Sequence, residues 1–220
     1  MQVVISLYKE DPSWIRKIPD HWDVVVYTKY NHFPKCIKNT TIIPLDNVGR
    51  ESHTYFYHIC QNYHNLHDVT VFLQGRPFDH APNVMNLLSA KEIPTKPGYF
   101  GIGHSQFKLN LVEMNLRNIL SHVNPNHFTM LKEKVEVMQA IWEIFYDSPF
   151  PKDVFMIIGS QFAVSKKMIR NFPLSAYQEV FNIHLRETWT PWAVEKILPQ
   201  IFLSTRYSLN FATNQRIKMG

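Results

Sequence analysis

The sequence contains few cysteines and no segment long enough to span a membrane. Its 220 residues include two cysteines, Cys36 and Cys60, too few for the disulfide framework of a small secreted domain. The apolar run in the opening stretch MQVVISLYKED is too short for a signal peptide and meets charged residues at once. No apolar stretch reaches the length of a transmembrane helix. We therefore expect reduced cysteines and a cytoplasmic protein without a membrane span. The same features are compatible with one domain of a longer, multidomain chain.

Several signatures of common function classes are also absent. The chain has no dense Lys/Arg run, although its net charge of +5 favours anionic partners in general. A phosphorylated small molecule is therefore expected rather than nucleic acid. Gly49 belongs to neither a GxGxxG fingerprint nor a P-loop, and no GxSxG nucleophile elbow occurs. These absences argue against a dinucleotide-binding enzyme, a P-loop nucleotidase and a serine hydrolase.

The patterns that are present predict an α/β fold. Hydrophobic residues make up 45% of the chain and charged residues 19%, which is typical of a globular protein. Short apolar runs alternate with helical segments, and no Asn-Gly hairpin turns separate them, so we expect βαβ units. The predicted strands are Gln2–Tyr8, Asp23–Thr28, Thr40–Leu45, Val69–Gln74, Gly98–Gly103 and Val154–Ser165. Two predicted helices begin at Asp11-Pro12 and at Ser165. The other predicted helices cover Ser52–Tyr63, Phe128–Phe145, Pro173–Ile183 and Pro191–Phe202. We predict one domain over residues 1–220, with a mostly parallel central sheet flanked by helices.

Polar and aromatic residues follow each of the first four predicted strands. In an open α/β sheet, ligands bind beyond the carboxyl ends of the strands, near the point where strand order reverses. The loops in question are Tyr8–Asp11, Thr28–Asn31, Asp46–His53 and Gly75–His80. Because these loops meet at one edge of a parallel sheet, we predict that they line one ligand site.

Asp79 is the predicted metal ligand of that site. A carboxylate just past a buried strand suits Mg²⁺ or Mn²⁺, which would neutralise a diphosphate. His80 would add a softer ligand and favour Mn²⁺, and Arg50 and Arg76 would bind phosphate oxygens. The alternatives stay open: Asp79 also suits a turn that bonds its own backbone, and His80 also suits a plain loop position.

Two further positions each have a functional and a structural interpretation. His53 lies in the first turn of a predicted helix, where free N–H groups and the helix dipole favour a phosphate, but it is equally suited to a structural role. His58 is predicted to be structural. Glu195 shares its side of a helix with Trp192 and Pro199, a partly apolar setting suited to a general base. The alternative for Glu195 is an exposed carboxylate paired with a neighbouring lysine.

Three segments resemble the DUF3431 family. The block LDNVGRESHTYFYHICQNYHNLHDVTVFLQGRPFDH is similar to the signature of that family. The segments GSQFAVSKKMIRNFPLSAYQEV and WAVEKILPQIF are similar to two of its later motifs. Together with the two N-terminal strands, the resemblance spans most of the chain.

The chain also resembles the N-terminal GT-A-fold domain of a large chlorella-virus glycosyltransferase. This resemblance implies a UDP-sugar donor, a glycan acceptor, Mn²⁺ or Mg²⁺, and the host cytoplasm as location if the chain is viral. It implies that Asp79 stands where GT-A enzymes keep a D-x-D motif, with the partner acid missing. The residues implied to line the donor site are Ser6, Leu7, Tyr8, Thr28, Lys29, Arg50, His53, Gln74, Gly75 and Arg76.

The sequence therefore favours a metal-dependent glycosyltransferase. Glu195 would serve as the base if the reaction inverts the anomeric centre, whereas a retaining reaction needs no such base. Trp189, Trp192 and Tyr99 are candidates for stacking on an acceptor sugar. The alternative is a non-catalytic module that binds a nucleotide or a carbohydrate. A metal-dependent nuclease is disfavoured because it would need several acids and histidines on neighbouring loops.

Overall fold

A computed structural model describes residues 1–30, 39–90, 93, 98–103, 106–110 and 125–203. Cys36, which was predicted to be reduced, lies outside these ranges. Cys60 lies in a helix as a free thiol, and burial raises its pKa to about 12. No helix among the described residues is both long and apolar enough to cross a membrane.

The strands fall mostly where the apolar runs predicted them. They are β1 (Gln2–Leu7), β2 (Asp23–Thr28), β3 (Thr40–Pro44), β4 (Val69–Gln74), β5 (Tyr99–Gly101), β6 (Gln106–Asn110), β7 (Asp153–Ile157) and β8 (Phe162–Ser165). The bounds predicted for β2 and β4 are confirmed without change. The prediction missed β6.

Helices connect most of the strands. They are α1 (Arg50–Asn62), α2 (Val84–Ser89), α3 (Pro125–Phe145), α4 (Lys166–Ile169), α5 (Leu174–His184) and α6 (Thr190–Leu203), with 3₁₀ helices at Pro12–Lys17 and Pro77–Asp79. Asp11 caps the first 3₁₀ helix as predicted, because its side chain accepts the N–H of Ser13 and Pro12 follows it. Ser165 caps α4 in the same way.

The central sheet is mostly parallel. Its strand order is β3-β2-β1-β4-β8-β5; the first four strands are parallel, whereas β8 runs antiparallel to both β4 and β5. From β1 the chain continues to β2 and β3 on one side, and it then returns to place β4 on the other side. Strand order therefore reverses between β1 and β4, which is where open α/β sheets bind ligands.

Both faces of this sheet are covered. On one face, a large apolar cluster joins the sheet to α1, α3, α5 and α6. On the other face, a smaller cluster joins it to the first 3₁₀ helix and α2. Successive residues of a strand point to opposite faces, so Val3 and Val4 of β1 enter different clusters and both are fully buried. This two-sided burial explains why the strands read as continuous apolar runs.

The prediction of a single strand over Val154–Ser165 is wrong. The segment forms β7, which pairs with β6 in a separate two-stranded sheet, and β8 of the central sheet. Between them Gly159 (φ 96°) and Ser160 (φ 50°) are left-handed, which ends the extended backbone. Because Phe162 pairs with Phe72 near the end of β4, this turn lies at the carboxyl edge of the parallel strands.

Candidate functional site

An open cleft lies at the carboxyl ends of β1 and β4, at the reversal of strand order. Its volume is about 850 Å³. Its charged lining residues are Lys9, Glu10, Asp11, Lys17 and Arg76. Three cations against two carboxylates give the cleft a net positive charge. Such a cleft suits a ligand that carries phosphate groups.

Glu10 of the loop after β1 lies against Gly75 at the end of β4. Its Oε2 accepts the backbone N–H of Tyr8 at 2.7 Å. A Cβ atom on Gly75 would lie 2.5 Å from the same oxygen, so the Glu10 carboxylate packs closely on the backbone after β4. The indole N–H of Trp14 donates to the carbonyl of Gly75 at 2.8 Å, which fixes the loop after β4. A ligand in this cleft therefore meets a rigid backbone.

Two exposed tyrosines stand together at the ends of β1 and β2. Tyr8 is 39% exposed and Tyr30 is 42% exposed, and their rings meet edge to face with centroids 5.9 Å apart. The ammonium of Lys9 lies 5.0 Å from the centroid of the Tyr8 ring and 5.2 Å from that of Tyr30. Exposed aromatic rings beside a cation offer a stacking surface to a flat ring such as a nucleobase.

Lys29 is buried and its ammonium is already bound by backbone carbonyls. Its Nζ donates to Val48 O at 2.5 Å and to Arg50 O. Burial lowers the pKa of Lys29 to about 8, although Glu51 opposes that shift. Lys29 therefore holds the loop before α1 instead of projecting into the cleft.

The start of α1 has unusual backbone geometry. Gly49 (φ 58°) and Arg50 (φ 49°) are both left-handed, and the second is costly for a residue with a Cβ atom. The guanidinium of Arg50 lies 5.2 Å from the centroid of the Trp192 ring of α6, and its Nε lies 3.5 Å from Glu51 Oε2. The buried ammonium of Lys29 helps to maintain this turn.

His53 is placed in the core rather than at the surface. The residue is 2% exposed, and its ring lies 4.8 Å from that of Phe181 in α5. Burial and, to a smaller extent, the charge of Lys29 lower the pKa of His53 to about 4, although Asp46 opposes the shift. Its Nδ1 has no hydrogen-bond partner among the described residues.

A second buried histidine fastens α1 to α5. The Nδ1–H of His184 donates to Val180 O at 2.8 Å, so Nε2 accepts from the hydroxyl of Ser52 at 2.7 Å. His58 is also buried, with Nδ1 3.0 Å from the hydroxyl of Tyr27. The structural role predicted for His58 agrees with this placement.

Asp79 ends the 3₁₀ helix after β4, where it is accessible. Its side chain is 56% exposed, and its Oδ1 lies 3.4 Å from Arg76 Nε. The next residue, His80, packs against the β7–β8 turn: a Cβ on Gly159 would lie 2.7 Å from His80 Cβ. The loop therefore presents one carboxylate and one guanidinium at the edge of the sheet.

The single carboxylate of Asp79 suits a metal ion that arrives with a phosphorylated ligand, but not a site made entirely of protein ligands. In the described part of the chain, no group of three or more His, Cys, Asp or Glu side chains is arranged to hold a metal. A divalent cation that arrives on a diphosphate needs only one or two protein carboxylates, because phosphate oxygens and water complete its shell. A single accessible carboxylate fits that second arrangement.

Glu195 of α6 reaches the same edge. Its Oε1 accepts the backbone N–H of Gly159 at 2.9 Å, which places it beside the turn that supports His80. Tyr55 lies near this carboxylate: burial raises its pKa well above the usual value, and the charges of Glu51 and Glu195 raise it further. Glu195 is thus held by its contact with Gly159, which in turn packs against His80, the residue after Asp79.

The predicted donor residues divide into an exposed and a buried group. Tyr8, Arg50, Arg76 and Asp79 carry side chains that a ligand can reach. The side chains of the buried or partly buried group support the loops, and they belong to Ser6, Leu7, Thr28, Lys29, His53 and Gln74. Ser6, for example, shares a 2.9 Å hydrogen bond with Thr54 of α1.

Two corrections to the predicted site follow. Tyr99 cannot stack on an acceptor sugar, because its ring is buried between Phe162 and Phe202, with centroids 5.6 and 5.7 Å away. Lys17 of the cleft was missed. The signal that would have found it is the Asp11-Pro12 helix start, since this short helix carries Lys17 at its end beside the loop after β1.

Comparison with known proteins identifies the family. No curated protein matches the chain. The profile of the family described as "Protein of unknown function (DUF3431)" matches residues 2–208, which include the strands and loops of the cleft as well as Glu195. The chain therefore belongs to the DUF3431 family.

Proposed function

We propose that the protein is a glycosyltransferase of the GT-A type that transfers a sugar from a UDP-sugar to a glycan acceptor. The observation that supports this proposal best is the reversal of strand order between β1 and β4, which opens into a cationic cleft. Ligands of open α/β sheets occupy this position. The resemblance to the N-terminal domain of the chlorella-virus glycosyltransferase suggests the same class of donor.

In this proposal, the donor lies across the ends of β1, β2 and β4. The nucleobase stacks on Tyr8 and Tyr30, whose rings are exposed. The diphosphate is bound by Arg76 and Lys9 of the cleft. Arg50, held in place through the contact of its carbonyl with Lys29, lies on the side of the transferred sugar. Preorganised cations of this kind stabilise the charge that develops on the leaving diphosphate.

Asp79 would hold a divalent cation, Mn²⁺ or Mg²⁺, that arrives with the donor. When bound, such an ion neutralises the leaving diphosphate as a Lewis acid. Arg76 contacts the same carboxylate at 3.4 Å, so it orients Asp79 before the donor enters. The softer ligand His80 follows directly and favours Mn²⁺.

Glu195 is the candidate base for an inverting reaction. The hydrogen bond from Gly159 occupies its Oε1 and fixes the direction of the carboxylate. Its Oε2 takes no hydrogen bond within the described residues and is available to remove a proton from an acceptor hydroxyl. In a retaining reaction, Glu195 would bind the acceptor without removing a proton.

A screen of nucleotide sugars tests the proposal. Release of UDP is measured with a panel of UDP-sugars in the presence and absence of Mn²⁺, and UDP binding is measured by calorimetry. We expect Mn²⁺-dependent UDP release from at least one donor. Absence of UDP binding would overturn the proposed function.

An Asp79→Ala variant tests the metal assignment. We expect a loss of transfer of about 100-fold or more, because one electrostatic stabiliser of the transition state is typically worth that much. Asp68→Ala is the matched control, since this 89%-exposed carboxylate pairs with Lys166 at the opposite end of β4. The control should keep full activity. Full transfer by Asp79→Ala would disprove the metal site at this residue.

The non-catalytic module remains the second candidate, supported by the presence of only one acid where D-x-D enzymes have two. It predicts tight UDP binding that does not depend on Mn²⁺, together with no hydrolysis or transfer of any donor. Calorimetry and the UDP-release assay therefore separate the two candidates.

A further inference from the structure

One tryptophan of the chain differs from the other four in its hydrogen bonding. Four indole N–H groups donate to protein oxygens at 2.7–2.9 Å; they belong to Trp14, Trp22, Trp142 and Trp189. The indole N–H of Trp192 has no acceptor among the described residues. Its ring is half-buried and belongs to neither apolar cluster. An indole that is neither core nor internally bonded is free to bind a ligand with both its face and its N–H.

A second aromatic ring extends this surface. Trp189 lies directly before the first residue of α6, three positions ahead of Trp192, and the two rings meet edge to face with centroids 5.6 Å apart. The N–H of Trp189 donates to Glu133 Oε2 at 2.7 Å, which fixes the ring. The pair therefore forms a rigid aromatic surface at the start of α6, and only Trp192 keeps a donor for a partner.

Charges of both signs surround the two rings. The guanidinium of Arg50 lies 5.2 Å from the Trp192 centroid, and the ammonium of Lys134 lies 4.6 Å from Trp189 and 5.8 Å from Trp192. Carboxylates accompany them, since Glu51 pairs with Arg50 and Glu133 bonds Trp189. Donors and acceptors beside an apolar ring match a neutral sugar, whose hydroxyls both donate and accept and whose C–H face is apolar.

The aromatic surface also adjoins the candidate base. Trp192 and Glu195 are three residues apart in α6, so they lie on the same side of the helix. Arg50 links Trp192 to the start of α1, and Glu195 contacts the turn that supports the loop of Asp79. A sugar on Trp192 would thus lie on the side of α6 that carries Glu195.

We propose that Trp192, together with Trp189, Arg50 and Lys134, forms the subsite that binds the acceptor as a neutral glycan. One sugar ring of the glycan stacks on the face of Trp192, and a hydroxyl of an adjoining sugar accepts a hydrogen bond from the in-plane indole N–H. Arg50 and Lys134 donate to ring hydroxyls, and Glu195 faces the hydroxyl that is glycosylated. The assignment of this glycan as the acceptor rests on the proposed function, whereas glycan binding at Trp192 does not.

The test uses two variants that affect different ligands. Binding of a panel of neutral oligosaccharides is followed through the ¹⁵N–¹H signal of the Trp192 indole and by calorimetry, and binding of UDP is followed by calorimetry in parallel. Trp192→Ala should weaken glycan binding at least tenfold and leave UDP binding unchanged. Tyr8→Ala should weaken UDP binding and leave glycan binding unchanged. Trp192→Phe, which keeps a ring and removes the N–H, should lie between wild type and Trp192→Ala.

The outcomes separate this inference from the proposed function. If no glycan shifts the Trp192 signal, or if Trp192→Phe and Trp192→Ala bind glycans as wild type does, the subsite is disproved even where UDP binds. If glycans bind at Trp192 and UDP does not bind, the subsite stands as a glycan site and the proposed transfer reaction fails. If UDP-sugar is hydrolysed but Trp192→Ala keeps a normal acceptor KM, the acceptor assignment is disproved.

Discussion

Three histidines are held neutral inside the protein. Burial lowers the pKa of His53 to about 4 and the pKa values of His58 and His184 to about 3, from an ordinary value of 6.5. The folded state therefore disfavours protonation, whereas the unfolded chain takes up protons below pH 6.5. Stability that is fully present above pH 6.5 is lost as pH falls towards the folded pKa values.

This linkage predicts acid sensitivity of the fold. Between pH 6.5 and pH 5, each of the three histidines should lower the free energy of unfolding by about 1.6 kcal/mol, because proton uptake by the unfolded chain rises from about half a proton to nearly one, at about 1.36 kcal/mol per proton and pH unit. Urea unfolding across this range measures the slope. His184→Gln should reduce the slope by close to one proton. An unchanged slope in His184→Gln would contradict the linkage.

Glu195 allows a substitution that separates chemistry from structure. Glu195→Gln keeps a side-chain oxygen for the N–H of Gly159 and removes the basic carboxylate. For an inverting reaction we expect kcat to fall by about 10²–10⁴-fold, with the melting temperature close to that of wild type. Single-turnover transfer rates measure the effect. A variant with wild-type kcat would remove Glu195 from the role of base.

At the scale of the element, the start of α1 is the most constrained segment of the site. Gly49 has a φ of 58°, and a Cβ atom there would lie 2.6 Å from His53 Cβ and 3.0 Å from His184 Cδ2. Close packing and backbone conformation both require glycine at this position. The buried ammonium of Lys29 and the left-handed Arg50 depend on the same turn.

We therefore expect Gly49→Ala to lower the free energy of unfolding by about 2 kcal/mol or more. Chemical denaturation measures the change. Gly49→Asn is the informative comparison, because asparagine tolerates the left-handed region but still carries a Cβ atom. Similar losses in both variants would identify the steric contact with His53 as the cause, and a wild-type stability for Gly49→Ala would contradict the constraint.

Local sequence patterns predicted most helices and strands, but they did not predict which strands pair with one another. The bounds of β2 and β4 followed from apolar runs ended by polar residues. The apolar run Val154–Ser165 forms two strands in different sheets, which periodicity did not reveal because it does not report which strand is the partner. The only local signal was Gly159, and the left-handed Ser160 beside it was not predictable from its residue type.

The sequence predicted which loops form the candidate site, but it did not predict which of their side chains are exposed. Tyr8, Arg76 and Asp79 lie in the loops that follow β1 and β4, so the rule for parallel sheets placed them at one edge. Whether a side chain near a strand end points to solvent or into the core depends on packing against distant segments. His53 and Lys29 are buried by contacts with α5 and with the loop before α1, which the sequence around them does not reveal.

At the scale of the whole molecule, a ligand at the β1/β4 cleft should stabilise the folded state. With UDP at about 100 times its dissociation constant, linkage adds about 2.7 kcal/mol. In a domain of this size, that gain raises the melting temperature by about 5–10 °C. Thermal-shift measurements with UDP test this expectation, and Tyr8→Ala should show a smaller shift. A melting temperature that does not respond to millimolar UDP would contradict a nucleotide site.

The antiparallel β8 between β4 and β5 has a consequence for biosynthesis. The first four strands come from residues 2–74 and are available early on the ribosome, but the outer edge of β4 finds its partner only when Phe162–Ser165 has been made. During that interval, the nascent chain exposes an apolar strand edge that is able to pair with other chains. β8 therefore has two roles: it follows the turn that contacts Glu195, and its pairing with β4 removes the strand edge that could aggregate.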